Sequence, residues 1–324
     1  MQEVPLVRVV RTGFEESVHA GDIAAADADG VLVASTGDPD RMAFARSSMK
    51  PLQATVSLSL TSIDVPAAEV AVMCASHNAE PVHVAAVRSL LARAGVDESA
   101  LRCPAALPMD QEAAIAAPSP LRINSDCSGK HGGMLAACRE QGWPLASYVD
   151  RDHPYQLRVL DAVLLAAGLP EVRVGVDGCG VPVHGLPLRS MATIYARLAS
   201  PGALGSLEGP ASRAIGSMRA EPYLVAGRNR VDTAVMEACK RVVVKAGAEG
   251  MICAAVLDRG IGVSVKIRDG GHRAAGPALI RALELLDVLD AKTMEALAPY
   301  ARPAVLGGGE PVGEMLAAFD LLPA

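Results

Sequence analysis

Residues 251–267 read MICAAVLDRGIGVSVKI. Two apolar runs, 251–257 and 261–267, flank Asp258-Arg259-Gly260, a group of turn formers, so the stretch is expected to fold as an antiparallel hairpin. In the second run Ile261, Val263, Val265 and Ile267 alternate with Gly262, Ser264 and Lys266, which places one set on each face of a strand. A helix is expected next, over 272–289, because Leu279, Ala282, Leu283 and Leu286 recur at helical spacing. The opposite end of the chain carries the same signals. Residues 6–10 alternate, and 17–27 and 30–36 flank the turn Asp27-Ala28-Asp29-Gly30.

The middle reads differently. Residues 81–94 open with Pro81, place Val84, Val87 and Leu91 on one stripe and stop at Gly95, which predicts a helix. Residues 184–198 read as a second one. The expectation is an α+β protein whose antiparallel sheet is built from both chain ends, with a helical lobe inserted. It forms a single unit over 1–324, with a sheet lobe of 1–60 plus 240–324 and a helical, loop-rich lobe of 61–239.

The 324 residues are 51% apolar with a net charge of -6, as expected of a soluble globular chain. There is no basic block and aromatics are 3%, which excludes an extended nucleic-acid surface or a base-stacking platform. No stretch approaches the roughly 18 apolar residues of a membrane span, and the opening MQEVPLVRVVRTG lacks the apolar run of a secretory signal. Seven scattered cysteines fit a reducing cytoplasm better than a disulfide framework. Gly307-Gly308-Gly309 precedes no phosphate-loop lysine and reads as a plain turn.

Lysine use is uneven: six lysines stand against 24 arginines. One of the six closes Ser47-Ser48-Met49-Lys50-Pro51. If a helix starts near Ser47, that hydroxyl and Lys50 share a face, and Pro51 is tolerated in the first turn. A serine needs a base to become a nucleophile. Lysine can give up a proton and arginine cannot. Ser-x-x-Lys alone reads equally as a helix-capping serine beside a solvated lysine.

Three further blocks accompany it: Cys74-Ala75-Ser76-His77-Asn78-Ala79-Glu80, then Cys127-Ser128-Gly129-Lys130-His131-Gly132-Gly133, then Asp177-Gly178-Cys179-Gly180-Val181-Pro182. Together, in this order, they resemble the bacterial L-asparaginase II family of the Rhizobium type. The resemblance implies a serine β-lactamase-like fold, related to glutaminases, and hydrolysis of L-asparagine to L-aspartate and ammonia. It implies that Ser47 is an active-site serine partnered by Lys50, and that Ser76 is a second one. Lys245-Ala246-Gly247 resembles the Lys-Thr-Gly edge-strand motif of the relatives, which pairs Lys245 with Ser76. It further implies a zinc set of Cys127, Lys130 and Cys179 with Asp177 beside it, and a homodimer. Two departures stand out. Ala79 replaces a usual glycine, and Ser125-Asp126 stand where asparagines are common.

Three of the six lysines, Lys50, Lys130 and Lys245, fall inside these motifs. Two Ser–Lys pairs would carry a proton from the attacking hydroxyl to the departing ammonia. Ser47 is the expected nucleophile, with Ser76 relaying a proton or holding the oxyanion. Arg46, Arg228 and Arg230 are candidates for a substrate carboxylate, and His77 for a substrate or supporting contact. Cys127 and Cys179 by themselves read as zinc ligands, free thiols or a disulfide. His77 and His131 read as supporting hydrogen-bond partners, and His184 and His272 as ordinary helix residues. Two other readings stay open: a glutaminase or β-lactam hydrolase on the same scaffold, and a silent amino-acid or zinc binder.

Overall fold

The computed structural model describes residues 4–323. Its strands are β1 (Val4–Arg11), β2 (Phe14–Ala26), β3 (Leu32–Thr36), β4 (Met42–Phe44), β5 (Arg173–Val176), β6 (Pro182–Pro187), β7 (Val242–Ala246), β8 (Met251–Val256), β9 (Ile261–Ile267), β10 (Ala304–Gly307), β11 (Glu310–Ala317) and β12 (Leu322–Pro323). The helices through the middle are α1 (Lys50–Ser59), α2 (Ala67–Met73), α3 (Pro81–Arg93), α4 (Gln111–Ala116), α5 (Ser128–Glu140), α6 (Pro154–Ala167), α7 (Leu188–Ala199), α8 (Glu208–Ala220) and α9 (Pro222–Val225). Four more follow: α10 (Val231–Ala238), α11 (His272–Leu285), α12 (Ala291–Ala296) and α13 (Ala298–Ala301). The class is α+β, as the sequence patterns imply.

The chain divides into two compact units. One holds the described residues through Ser48, then Gly185–Ser200 and the described residues from Ala234 onward. The other holds Met49–His184 and Pro201–Thr233.

In the first unit the strands run in the order β10-β11-β1-β2-β9-β8-β7, with β3 on β2 and β12 on β3. Every pairing in this sheet is antiparallel, with Ile23 opposite Val265 and Cys253 opposite Ser264. Both chain ends therefore build this sheet. The expected hairpin of 251–267 is β8–β9. Its alternation separates two helices rather than core from solvent. Ser264 Oγ donates to Leu188 O of α7 at 2.8 Å, and a Cβ on Gly262 would lie 1.9 Å from Ala192 O. Only a glycine admits so close a helix backbone. α11 also packs on β9, so residues 261–265 and 267 are buried on both faces. Each fully buried Val or Ile there contributes about 1.5–3 kcal/mol relative to exposure.

The expected helix of 184–198 starts late. His184 lies in strand β6, and α7 begins only after Pro187, whose own ψ of 148° is extended. A proline disfavours helical backbone in the residue before it, so the helix cannot extend back through Leu186. The unit boundaries also differ from the expected 60/61 and 239/240. α7 packs on β2, β8 and β9 and belongs with the sheet, while α1 packs on α5, α6 and α8 and belongs with the helices.

The second unit is a cluster of helices around α5, which is buried from Ser128 to Cys138. A Cβ on Gly129 would lie 2.1 Å from Val72 O of α2. This glycine of the Ser128-Gly129-Lys130 motif thus lets two helices touch.

Candidate active site

Lys50 is the first residue of α1, with Pro51 in the first turn where a missing N–H costs nothing. The helix is buried along its length, and Lys50 is 0% exposed. Its long side chain reaches the segment that follows α2. Nζ lies 2.7 Å from Ala75 O, 2.8 Å from Ser76 Oγ and 3.4 Å from Asp126 O. Asp126 Oδ2 is 3.5 Å away. The backbone fixes this segment independently: Ser76 N donates to Val225 O and Asn78 N to Ala226 O. His77 N donates to Asp126 O. Ser76 Oγ is held against the amine by these strand-like contacts.

The arrangement has a definite chemical capacity. A neutral amine carries two N–H donors and one lone pair. Two carbonyl oxygens, Ala75 O and Asp126 O, can take the donors, which turns the lone pair toward the Ser76 hydroxyl. That is the hydrogen-bond pattern of a base poised on a nucleophile.

Lys50 was expected to serve Ser47, and Lys245 to serve Ser76. Within the helical unit, Lys50 Nζ meets Ser76 Oγ; α1 is buried from its first residue, and Ala75 and Ser76 lie within reach of that buried side chain. Ser47 and Lys245 belong to the sheet unit. Ser47 sits half-buried in the 3-10 turn Arg46–Met49, directly after Arg46 at φ 52°. A non-glycine residue at positive φ is strained, a feature concentrated at functional turns. Lys245 is 0% exposed on β7, where its Nζ donates to Ala246 O at 2.6 Å.

His77 has both ring nitrogens engaged by its protein neighbours. The Ser128 hydroxyl donates to Ile123 O at 2.8 Å, so it accepts from His77 Nε2 at 3.0 Å. His77 Nδ1 then accepts from Ala79 N at 3.1 Å. Both ring nitrogens are used, and the residue is 0% exposed. Burial holds its pKa down at about 3, with His83 adding to the effect, Asp126 opposing it, and Lys50 and Arg230 adding again. The imidazole is a neutral strut. Ala79, whose N–H it grips, has φ 57°, which accounts for the glycine usual at this position.

Arg230 remains a candidate carboxylate ligand. Its Nη1 donates to Ser76 O at 3.3 Å and to Asn78 Oδ1 at 3.0 Å. This anchors the guanidinium one peptide from the Ser76 hydroxyl. Arg228 is committed elsewhere: Glu112 lies 2.8 Å, Asp110 3.7 Å and Glu80 3.9 Å from it. Arg46 lies in the sheet unit.

Cys127 and Lys130 are three residues apart at the start of α5, on one helix face. Cys179 comes from the turn before β6, where Gly180 N donates to Asp177 O. Lys130 Nζ lies 2.9 Å from Cys179 Sγ. Both cysteines are free, which removes the disulfide reading. A hydrogen bond from the Cys127 thiol pulls the Cys179 pKa down against burial, with Lys130 and His131 assisting. The same bond, with burial, pushes Cys127 up. Burial opposes charge on Lys130, but Cys179, Cys127 and Asp177 outweigh it and raise its pKa. His131 supports from below through Nδ1, 2.6 Å from Tyr148 Oη. Among the described residues, no three His, Cys, Asp or Glu side chains gather as a ready metal cluster. A zinc ion here would need Lys130 as its third donor. The two thiols, with the Lys130 amine beside Cys179, supply soft sulfur donors suited to zinc; the amine would have to give up its proton to join them.

Two elements of the site escaped the sequence reading. Asp126 was noted only as a departure from asparagine, although a carboxylate beside a motif lysine is a chemical signal. Asn78, which orients Arg230, sits in a quoted motif but had no assigned role.

A family model described as L-asparaginase II matches residues 7–317. No curated protein matches the chain. Among solved structures, a β-lactamase from Mycobacterium bovis is similar at 18% identity and TM-score 0.44, over 87% of this chain and 95% of that one. The native form of Mglu is similar at 16% identity and TM-score 0.48, over 85% and 67%. Simvastatin synthase from Aspergillus terreus, a mutant form, is similar at 11% identity and TM-score 0.41, over 82% and 93%.

Proposed function

Because the chain belongs to the L-asparaginase II family, a family of amide hydrolases, we propose that it hydrolyses L-asparagine to L-aspartate and ammonia through a serine acyl-enzyme. The observation that carries this reading is the 2.8 Å contact between Lys50 Nζ and Ser76 Oγ in a buried setting. Neutral Lys50 accepts the Ser76 hydroxyl proton as Oγ bonds to the side-chain amide carbon. The resulting lysine ammonium returns that proton to the leaving nitrogen as the C–N bond breaks and ammonia departs. Water, activated by the same amine, then adds to the ester and frees aspartate and Ser76. Arg230 receives the substrate carboxylate.

Ser47 is the alternative attacking residue, favoured by the strained Arg46 that precedes it. An electrophilic asparagine analogue, followed by peptide mass spectrometry, distinguishes the two. A label on Ser76 supports the main reading, a label on Ser47 exchanges the serines, and a label on neither refutes the acyl-enzyme.

Zinc is part of the reading, held by Cys127, Lys130 and Cys179 with Asp177 adjacent. When bound, the ion would supply Lewis acidity and orientation near the substrate. A cytoplasmic homodimer acting on a small amide completes it. Ammonia release from asparagine and glutamine, alongside a chromogenic lactam, separates asparaginase from glutaminase and β-lactam hydrolase. Binding of asparagine without ammonia would mark a silent binder.

A further inference from the structure

We infer that Asp126 is the receptor for the substrate's α-ammonium group, and that it restricts the site to amides carrying a free amino group. The inference rests on the amide-hydrolase reading above and adds to it the substrate class. Charge around Ser76 is lopsided. Lys50 touches its hydroxyl and Arg230 its carbonyl, and both, together with Asp126, act on the buried His77 next door. The Arg230 guanidinium welcomes a carboxylate but repels an ammonium. An anion nearby favours a zwitterionic amino acid over a plain acid.

Asp126 is that anion. Asp177 bears on the Lys130 side, and Glu80 is engaged by Tyr223 Oη and Arg228 N. The Asp126 side chain is 36% exposed, while Lys50 beside it is fully buried, so the carboxylate is the part of this pair that a solute can reach. The 3.5 Å separation from Lys50 Nζ exceeds the roughly 2.7–2.9 Å of a charge-assisted hydrogen bond. A carboxylate offers about four lone-pair sites, enough for an incoming ammonium in addition to its existing neighbours. Asp126 O accepts from His77 N, so its main chain is tied to the Ser76 segment and the carboxylate stays near the reacting hydroxyl. In asparagine only two carbons separate the amide carbon from the ammonium nitrogen. One molecule can therefore span Ser76 Oγ and the Asp126 carboxylate.

The test compares substrates that differ only in the amino group. Ammonia release from L-asparagine and from succinamate gives one selectivity ratio in kcat/KM. Calorimetric binding of L-aspartate and succinate gives a second that does not depend on turnover. The wild type should favour the amino compounds in both. Asp126→Asn should narrow each ratio by about tenfold or more, chiefly through KM, and Asp126→Glu should keep most of the preference. If Asp126→Asn does not fold, Asp126→Ser replaces it. A wild type with no preference, an unchanged ratio in the variant, or equal loss on both compounds overturns the inference. Absence of ammonia release together with a binding preference that collapses in Asp126→Asn upholds Asp126 and refutes the asparaginase reading.

Discussion

Lys50 Nζ lies 2.8 Å from Ser76 Oγ, although 26 positions separate the two residues in the chain. The pair is made by the start of α1 and the segment after α2, inside the helical unit. Both groups are buried, so water competes little for either hydrogen bond. The predictions below begin from this contact.

Lys50→Arg should lower ammonia release by about 10²- to 10⁴-fold, the range for loss of a general base. The positive charge is kept, but arginine cannot surrender a proton. The measurement is kcat/KM for asparagine, with circular dichroism to confirm folding. Activity within a few-fold of wild type would refute the neutral-amine role.

Ser76→Ala should cost as much as Lys50→Arg, and the double variant little more than either alone. Residues that act as a unit are strongly non-additive. Independent, multiplicative losses would mean that the 2.8 Å contact is not part of the reaction.

Ala79→Gly should stabilise the protein by about 1 kcal/mol, because Ala79 is held at φ 57° where a side chain is strained. Urea unfolding would show a higher midpoint with unchanged slope. No gain would mean that the His77 hydrogen bond to Ala79 N relieves the strain already.

Stability should fall between pH 6.5 and 4. Burial holds His77 at about 3 and His184 at about 4, both below the ordinary 6.5. The unfolded chain therefore binds protons that the folded chain refuses. The stability is fully present above 6.5 and is lost as pH falls toward the folded values, at up to about 1.4 kcal/mol per pH unit for each group. Denaturant titrations across this range test it. His184→Leu should flatten the slope, whatever it does to stability at pH 7. A flat wild-type profile would contradict the prediction.

Cys127→Ser should reduce retained zinc, measured by elemental analysis after dialysis, and Cys179→Ser should do the same. In the proposed donor set of two thiols and Lys130, either loss would leave too few soft ligands. Unchanged zinc in both variants would move the metal elsewhere.

The resemblance carried by four short blocks was enough to indicate the family, and residue patterning was enough for the sheet. The hairpin of 251–267 needs only an apolar alternation and a turn. The helix from Pro81 needs only a proline at its start and a glycine after its end. Both signals lie within a few residues of each other. What failed was longer-range. The alternation in β9 could not reveal helices on both faces, because Gly262 and Ser264 read as a solvent side until α7 closes over them. Pro187 marked the start of α7, but the residues before it were read as helix.

Residue identity fixed which groups could perform chemistry: hydroxyls, amines that can lose a proton, and thiols that accept soft metals. Their partnership is a matter of position in space. The spacing of Ser47 and Lys50 suggested a pair along one helix; it could not show that Lys50 meets Ser76, 26 positions away. The same folding brings Asp126 beside the amine and uses both nitrogens of His77 on its neighbours. A side chain's chemistry is local to its residue. Which atoms it meets depends on how distant segments pack, and no spacing along the chain encodes that.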